Sequence, residues 1–543
     1  MLDELHAQLA TFKSCADPLR FHAARSPDAP ATAFQGRITT YAQLHSRSNQ
    51  IAQALLADGV RSSERVAILA KNSDLFFELN YACWKVDAVL VPVNFRLAPP
   101  EMVGIINDSQ ATVLFVDDTF ADVAHEMLAE LDKIRKVVAL GQAQHDWPQF
   151  ESWYGAHNNT DPEIEVDPGN TCMQLYSSGT TGLPKGAELT HEAFLTLMQV
   201  ALRDWDDWGE NEVVMVAMPL FHVAGCEWGY LGYTIGGLNV VMPEVDPAQI
   251  LHDIETYKVT QTLFVPAVIL FLLQHPDCVT TDFSSIKNIY YGASPIPMPL
   301  LEQAVETMGC GFAQLYGLTE TTGAITYLAP QDHDGSERMR SCGKPISSAE
   351  IRVIDERGNP CAPGEVGEIF MRPLEGAGTT YRYIGAEARA IDGGWESLGD
   401  MGWMDEAGFL WFCGRKAERV TTDEGILETV CCEAIFNQLD SVSRSALIDL
   451  GQGRAGIVIE PEADCYPQTQ DAIESFKKKL RDLYFSIKLI GIILFIQIIL
   501  GIFTLINGAQ MFLASMHQIG SIALLSISVY LLFFNNRKLT NSF

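Results

Sequence analysis

Twelve consecutive residues, Leu175-Tyr-Ser-Ser-Gly-Thr-Thr-Gly-Leu-Pro-Lys-Gly186, constrain this chain more than any other stretch. They place four serine and threonine hydroxyls, three glycines and one lysine in a single loop. Glycine lets a backbone turn inward and present its N–H groups, hydroxyls add donors, and lysine supplies a compact positive charge. Such a set suits the oxygens of a polyphosphate. The preceding Thr171-Cys-Met-Gln-Leu-Tyr176 reads as a short strand, and Phe194, Leu197, Met198 and Ala201 follow at helical spacing. The loop is therefore expected to join a strand to a helix. It is not a Walker A loop, which needs four residues between its first glycine and a Gly-Lys-Ser/Thr end; two separate Gly179 from Gly182. A plain surface turn would leave the Ser-Ser-Gly-Thr-Thr-Gly crowding and the Pro184-Lys185-Gly186 end unexplained.

The surroundings of the loop predict an α/β fold. Ile51–Leu56 is helical in pattern, while Arg65–Leu69 and Ala111–Val116 are strand-like. After the loop, Glu212–Ala217, Gly237–Met242 and Gln261–Val265 read as buried strands followed by short polar loops. Helices alternating with short apolar strands argue sheets covered on their faces, with chemistry at the carboxyl ends of strands. Near Gly343-Lys-Pro345 the pattern turns β-rich, with hairpins predicted from Ala349–Asp355 and Gly364–Phe370. With 543 residues the chain exceeds the roughly 250–300 that one core holds, so two or more domains are expected.

Charge and cysteine usage narrow the partners. Lys plus Arg number 37 against 68 Asp plus Glu, a net charge of −31, which disfavours nucleic acid because affinity for its backbone comes from neutralising lysines and arginines. Twelve cysteines form no Cys-x-x-Cys pair and no zinc spacing, as suits free thiols in a reducing compartment. The acidic Met1-Leu-Asp-Glu-Leu-His start has no secretory pattern. Leu489 to Ile506 and Met511 to Phe534 are uncharged apolar runs of spanning length, with Lys477, Lys478, Lys479, Arg481 and Lys488 before the first and Arg537 and Lys538 after the second. They predict two transmembrane helices forming a hairpin, with both ends and the catalytic body on the cytoplasmic side.

The glycine-rich loop resembles the signature of the adenylate-forming enzymes: acyl-CoA synthetases, luciferases and nonribosomal-peptide adenylation domains. The likeness runs from about Asp17 to the Arg415 region. It implies that Ser177, Ser178, Gly179, Thr180, Thr181, Gly182 and Lys185 hold ATP phosphates. Tyr316-Gly-Leu-Thr-Glu-Thr321 is similar to the family segment in which Thr319 would bond the α-phosphate and Glu320 would hold Mg²⁺, with Thr181 as a second metal contact. A hard cation between phosphate oxygens prefers such a carboxylate. Gly292, Ala293 and Ser294 resemble the adenine-binding segment, with Tyr316 on the other face of the base and Gly317 beside it. Asp400 matches the aspartate that accepts from ribose hydroxyls, and Arg415 its partner. His222, in Pro219-Leu-Phe-His-Val-Ala-Gly225, matches the histidine beside the carboxylate substrate. Gly225, Trp228, Gly229 and Tyr230 nearby suggest an acyl pocket, with Glu227 the one acidic residue among them.

The resemblance implies a large adenylate-forming domain over 1–414, a partial small C-terminal domain over 415–482 and the membrane hairpin over 483–543. The departures lie late. Leu398 stands where the family usually has threonine, and Ala417 stands at the expected hinge without the glycine pair that normally follows. No Gly-Lys pair occurs from Glu460 to Lys479, where the family carries a catalytic lysine. The implied activity is ATP-dependent conversion of a carboxylic acid, a fatty acid by the apolar pocket, through an acyl-adenylate to its coenzyme A thioester. Two alternatives stand beside it: a membrane-anchored nucleotide-binding member impaired in adenylation, and a β-lactone synthetase of olefin biosynthesis.

Overall fold

A computed structural model of the chain describes residues 2–142, 145–177, 185–205, 208–209, 211–374, 382–383, 390–423, 425–437, 442–461, 492–498 and 529–535. Two sheets carry the body. One has nine strands among the described residues, and its centre is parallel: Leu238–Val241, Val213–Val216, Gln261–Phe264, Asn288–Gly292 and Gly311–Leu318 lie side by side. Gly323–Leu328 then returns antiparallel along Gly311–Leu318. Val214, Met215, Phe264, Tyr290 and Tyr291 are buried, as strands covered on both faces require. The other sheet orders Lys185–Thr190, Thr171–Ser177, Val89–Pro92, Arg65–Leu69, Val113–Val116 and Lys136–Ala139, with the short Arg382–Tyr383 at its edge. The predicted strands are thus present, trimmed by a residue or two at their ends.

One hydrophobic core draws side chains from both sheets. Its centre is aromatic: the helices Asp74–Lys85 and Val223–Thr234 bring Trp84 and Tyr230 to 4.4 Å between ring centroids, with Phe77, Tyr81 and Tyr233 around them. Gly229 is needed there, since a Cβ would lie 2.5 Å from the Phe77 ring. The β-rich prediction also holds. Ala349–Ile354 pairs antiparallel with Gly367–Pro373, which pairs with Trp395–Met404, and Leu410–Arg415 completes the group.

Two expectations need correction. The glycine-rich loop joins two strands, because Lys185–Thr190 runs back along Thr171–Ser177 before the helix His191–Asp204 begins. The cause is visible in period two: Ala187 and Leu189 are fully buried, whereas Glu188 forms an ion pair with Arg65 across the sheet. The second correction concerns the tail. Within the two apolar runs the described residues are extended: Ile492–Ile498 and Val529–Asn535 are antiparallel strands, and Val529–Asn535 also pairs with Arg454–Pro461. Among the described residues no helix is long and apolar enough to cross a membrane. A run of Ile, Leu, Val and Phe without a polar face satisfies a buried strand as well as a helix, so length and composition do not separate the two. The rest of both runs lies outside the described residues.

Candidate active site

At one end of the site the strand Thr171–Ser177 meets the turn that follows Gly311–Leu318. The strand Thr171–Ser177 ends with Ser177 opposite Lys185. Ser178, Gly179, Thr180, Thr181 and Gly182 lie outside the described residues, as does the Lys185 side chain. Facing Ser177, the strand Gly311–Leu318 ends in a single 3-10 turn, Thr319–Thr321, and the chain reverses through left-handed Thr322 and Gly323. The Thr321 hydroxyl closes that turn, accepting from the Leu318 N–H at 2.8 Å and donating to the Gly323 carbonyl at 2.6 Å. With Thr321 occupied by the backbone, the turn presents Glu320, whose Oε1 accepts from the Ser177 hydroxyl at 2.9 Å. Thr319 is buried and Glu320 is half-buried. The sequence motif and the loop are therefore brought together through a direct Ser177–Glu320 contact.

Ala293, Ser294, Tyr316, Gly317, Asp400 and Arg415 line one cleft. Asp400 and Arg415 are directly opposite on paired strands, and Arg415 Nη1 lies 2.9 Å from Asp400 Oδ1. The Tyr316 hydroxyl donates to Asp400 Oδ2 at 2.6 Å. Asp400 is only 1% exposed; burial raises its pKa, while Arg415 and the Tyr316 hydrogen bond oppose the rise. Burial and the Asp400 charge push the Tyr316 phenol well above its ordinary range. Gly292 and Gly317 owe their identity to backbone crowding: a Cβ would sit 2.1 Å from the Leu315 carbonyl at Gly292 and 1.8 Å from the Gly323 carbonyl at Gly317. Ala293 sits between them in the left-handed region at φ +65°. Sequence reasoning missed Trp403 and Trp411, whose rings stack at 4.8 Å in the cleft wall, and Phe412 beside Tyr316. Their alternation along two paired strands was the available signal.

A second, narrower cleft opens beside the first. His222 caps the helix Val223–Thr234, its Nδ1 accepting from the Ala224 N–H at 3.3 Å. Gly225 is forced by that entry turn, since a Cβ there would lie 2.2 Å from the Pro219 carbonyl. The imidazole is reachable from the cleft yet crowded by protein, and this desolvation lowers its pKa, with the Glu320 charge opposing. Leu197, Met198 and Ala201, legible in the sequence only as the apolar face of a helix, form one wall. Trp228, Leu231, Leu263 and Ala324 form others, and Glu227 is set among them. The cavity is narrow, about 70 Å³, and part of its wall is open to solvent. Ala293, Leu315 and Gly317 line both clefts, so the two cavities meet at these residues.

A family model described as AMP-binding enzyme matches residues 19–383. The chain belongs to that family. As an AMP-binding enzyme it is 36% identical over 420 residues, 76% of this chain and 79% of the relative, to a fatty acid–acyl-carrier-protein ligase of Streptomyces coeruleorubidus. It is 29% identical to an indoleacetate–CoA ligase of Aromatoleum aromaticum, over 81% of this chain and 85% of that one. Among solved structures it resembles the o-succinylbenzoate coenzyme A synthetase of Bacillus subtilis in complex with ATP and magnesium ion, at a TM-score of 0.69 and 25% identity, covering 82% of this chain and 88% of that one. The site residues suit such ligands. The Ser177 hydroxyl and Glu320 carboxylate offer the oxygen donors a hard cation takes, and the Asp400 carboxylate faces a cleft walled by aromatic rings.

Proposed function

We propose that this AMP-binding enzyme activates an organic acid with an apolar body, a fatty acid first among them, as its acyl-adenylate and passes the acyl group to coenzyme A. ATP and Mg²⁺ are the cofactors of that reaction and coenzyme A its co-substrate. The observation that carries the reading is the junction of the two clefts. An acid lying in the apolar cleft beside His222 and a nucleotide lying along Tyr316 and Asp400 would bring carboxylate and phosphates together at the residues the clefts share.

Within this reading Thr180, Thr181 and Lys185 hold the phosphates, and Thr319 binds the phosphate nearest the acid. Asp400, kept in place by Arg415 and Tyr316, receives the ribose hydroxyls. Gly292, Ala293 and Ser294 border the adenine. Mg²⁺, held by Glu320 with Thr181, supplies charge to the phosphate oxygens when bound. The carboxylate displaces pyrophosphate from ATP, and a thiol then displaces AMP; most of the protein's work is positioning and charge stabilisation. The Streptomyces coeruleorubidus relative favours an aliphatic acid and the Aromatoleum aromaticum relative an aryl one. The aliphatic wall of Leu197, Met198, Leu231 and Leu263 inclines the choice to the former.

A second reading, nucleotide binding with impaired adenylation, is favoured by the absence of a Gly-Lys pair from Glu460 to Lys479. Pyrophosphate release from ATP, measured across a panel of alkanoic and aryl acids with and without coenzyme A, separates the two. Release that depends on the acid, with the thioester identified by mass, supports the ligase. Tight ATP binding without release under any acid sinks it in favour of the second reading.

A further inference from the structure

The apolar cleft contains one group that an alkyl chain cannot satisfy. Glu227 lies on the helix Val223–Thr234, five residues past His222, or about 7.5 Å along the axis at 1.5 Å per residue. It is only 6% exposed, and its Oε1 is buried without a hydrogen-bond partner. The neighbouring backbone makes room for the carboxyl: Gly323, left-handed at φ +84°, has no Cβ, and one placed there would lie 2.0 Å from Glu227 Oε2. Burial pushes the pKa of this carboxyl well above its ordinary range and so favours the neutral form, which can both donate and accept. The same cleft holds a second orphan, the buried indole N–H of Trp205. A carboxyl and an N–H donor left unpaired in an apolar wall destabilise the empty protein, and a ligand that pairs them recovers that loss.

We infer that Glu227 is a specificity-determining residue that reads a hydroxyl on the acyl chain, so that the preferred acid is hydroxylated in the part of the chain away from its carboxylate. A hydroxyl answers the Glu227 carboxyl in both senses, donating to its carbonyl oxygen and accepting from its O–H. An ammonium can only donate, so it leaves the carboxyl O–H unanswered. The inference rests on the acid-activating reading above and names the acid more closely.

The test uses the full chain, its Glu227→Gln and Glu227→Leu variants, and three acids of one length: unsubstituted, hydroxylated mid-chain and aminated mid-chain. Two readouts are taken, calorimetric binding of each acid in the presence of AMP, and kcat/KM from pyrophosphate release. The wild type should favour the hydroxy acid over the plain acid at least tenfold in both. Glu227→Gln, which still donates and accepts, should keep most of that ratio, while Glu227→Leu should bring it to one or below. A wild type that binds the plain acid as well as the hydroxy acid overturns the proposal. So does a Glu227→Leu ratio that stays at the wild-type value, since a merely structural glutamate would lower both acids alike. A preference for the amino acid analogue that both variants lose overturns the hydroxyl in favour of an amine. If no acid releases pyrophosphate, the ligase reading fails while the binding ratio still decides the role of Glu227.

Discussion

At Asp400 burial and the neighbouring groups pull in opposite directions on one carboxyl. Burial favours its neutral form, whereas Arg415 at 2.9 Å and the Tyr316 hydroxyl at 2.6 Å favour the charged one. The charged form is the one that can accept from two ribose hydroxyls. Asp400→Asn should therefore keep the shape, lose the Arg415 ion pair and weaken ATP binding. A hydrogen bond to a charged group is worth about 1.5–3 kcal/mol, so the dissociation constant should rise roughly tenfold to a hundredfold. Calorimetric titration with ATP checks this, and an unchanged constant would remove Asp400 from the nucleotide site. Glu320→Gln makes a different demand. The amide oxygen can still accept from Ser177, so the turn survives, but the charge proposed to attract Mg²⁺ is gone. Turnover should fall far more than nucleotide affinity, and equal loss of both would make Glu320 a structural partner of Ser177.

At the scale of elements, the helices Tyr41–Ala57 and Asp74–Lys85 pack through a buried ion pair, Arg47 to Glu78 at 2.9 Å. Glu78 is 1% exposed, and burial raises its pKa to about 7 despite the guanidinium. Its ordinary value is 4.5, so between these two values the folded chain holds a proton that the unfolded chain releases. That contribution to stability is fully present below the lower value and is lost as pH rises through the upper one, about 3 kcal/mol in all. Glu78→Gln should flatten the slope, so denaturation midpoints of wild type and variant should diverge between about pH 5 and 8. Parallel curves would mean that Glu78 is ionised in the fold. These same elements show what the sequence discloses. Val213–Val216 was legible because a strand buried on both faces is a short unbroken apolar run. Lys185–Thr190 was not, because its two apolar side chains, Ala187 and Leu189, are too few to display a period between a glycine and a threonine N-cap. The Asp400–Arg415 pair and the Tyr316 bond join positions far apart in the chain, and no local pattern encodes a distance of that kind. Resemblance to a family supplied those residues, and the cleft walls of Trp403 and Trp411 escaped even that.

For the whole molecule the open question is what the C-terminal segment does for a site that lies ahead of it. Every residue lining the two clefts falls at or before Asn437. The described tail strands instead extend the Val442–Gly451 and Arg454–Pro461 hairpin into four strands, with Ile459 opposite Val529 and Gly456 opposite Leu532. A chain ending at Pro461 should therefore bind ATP as the full chain does, because no cleft residue is removed. It should also present the outer edge of Arg454–Pro461 with unpaired N–H and C=O groups, an arrangement that invites pairing with another copy. Light scattering should find the shortened chain more associated than the full one at equal concentration, while titration finds the same ATP affinity. Loss of ATP affinity on shortening would instead mean that the tail reaches the cleft. In that case Lys477, Lys478, Lys479 and Lys488 become the residues to replace, since the expected catalytic lysine has no Gly-Lys counterpart in that part of the chain. An unassociated shortened chain with intact affinity would show that this edge is shielded by something other than the tail strands.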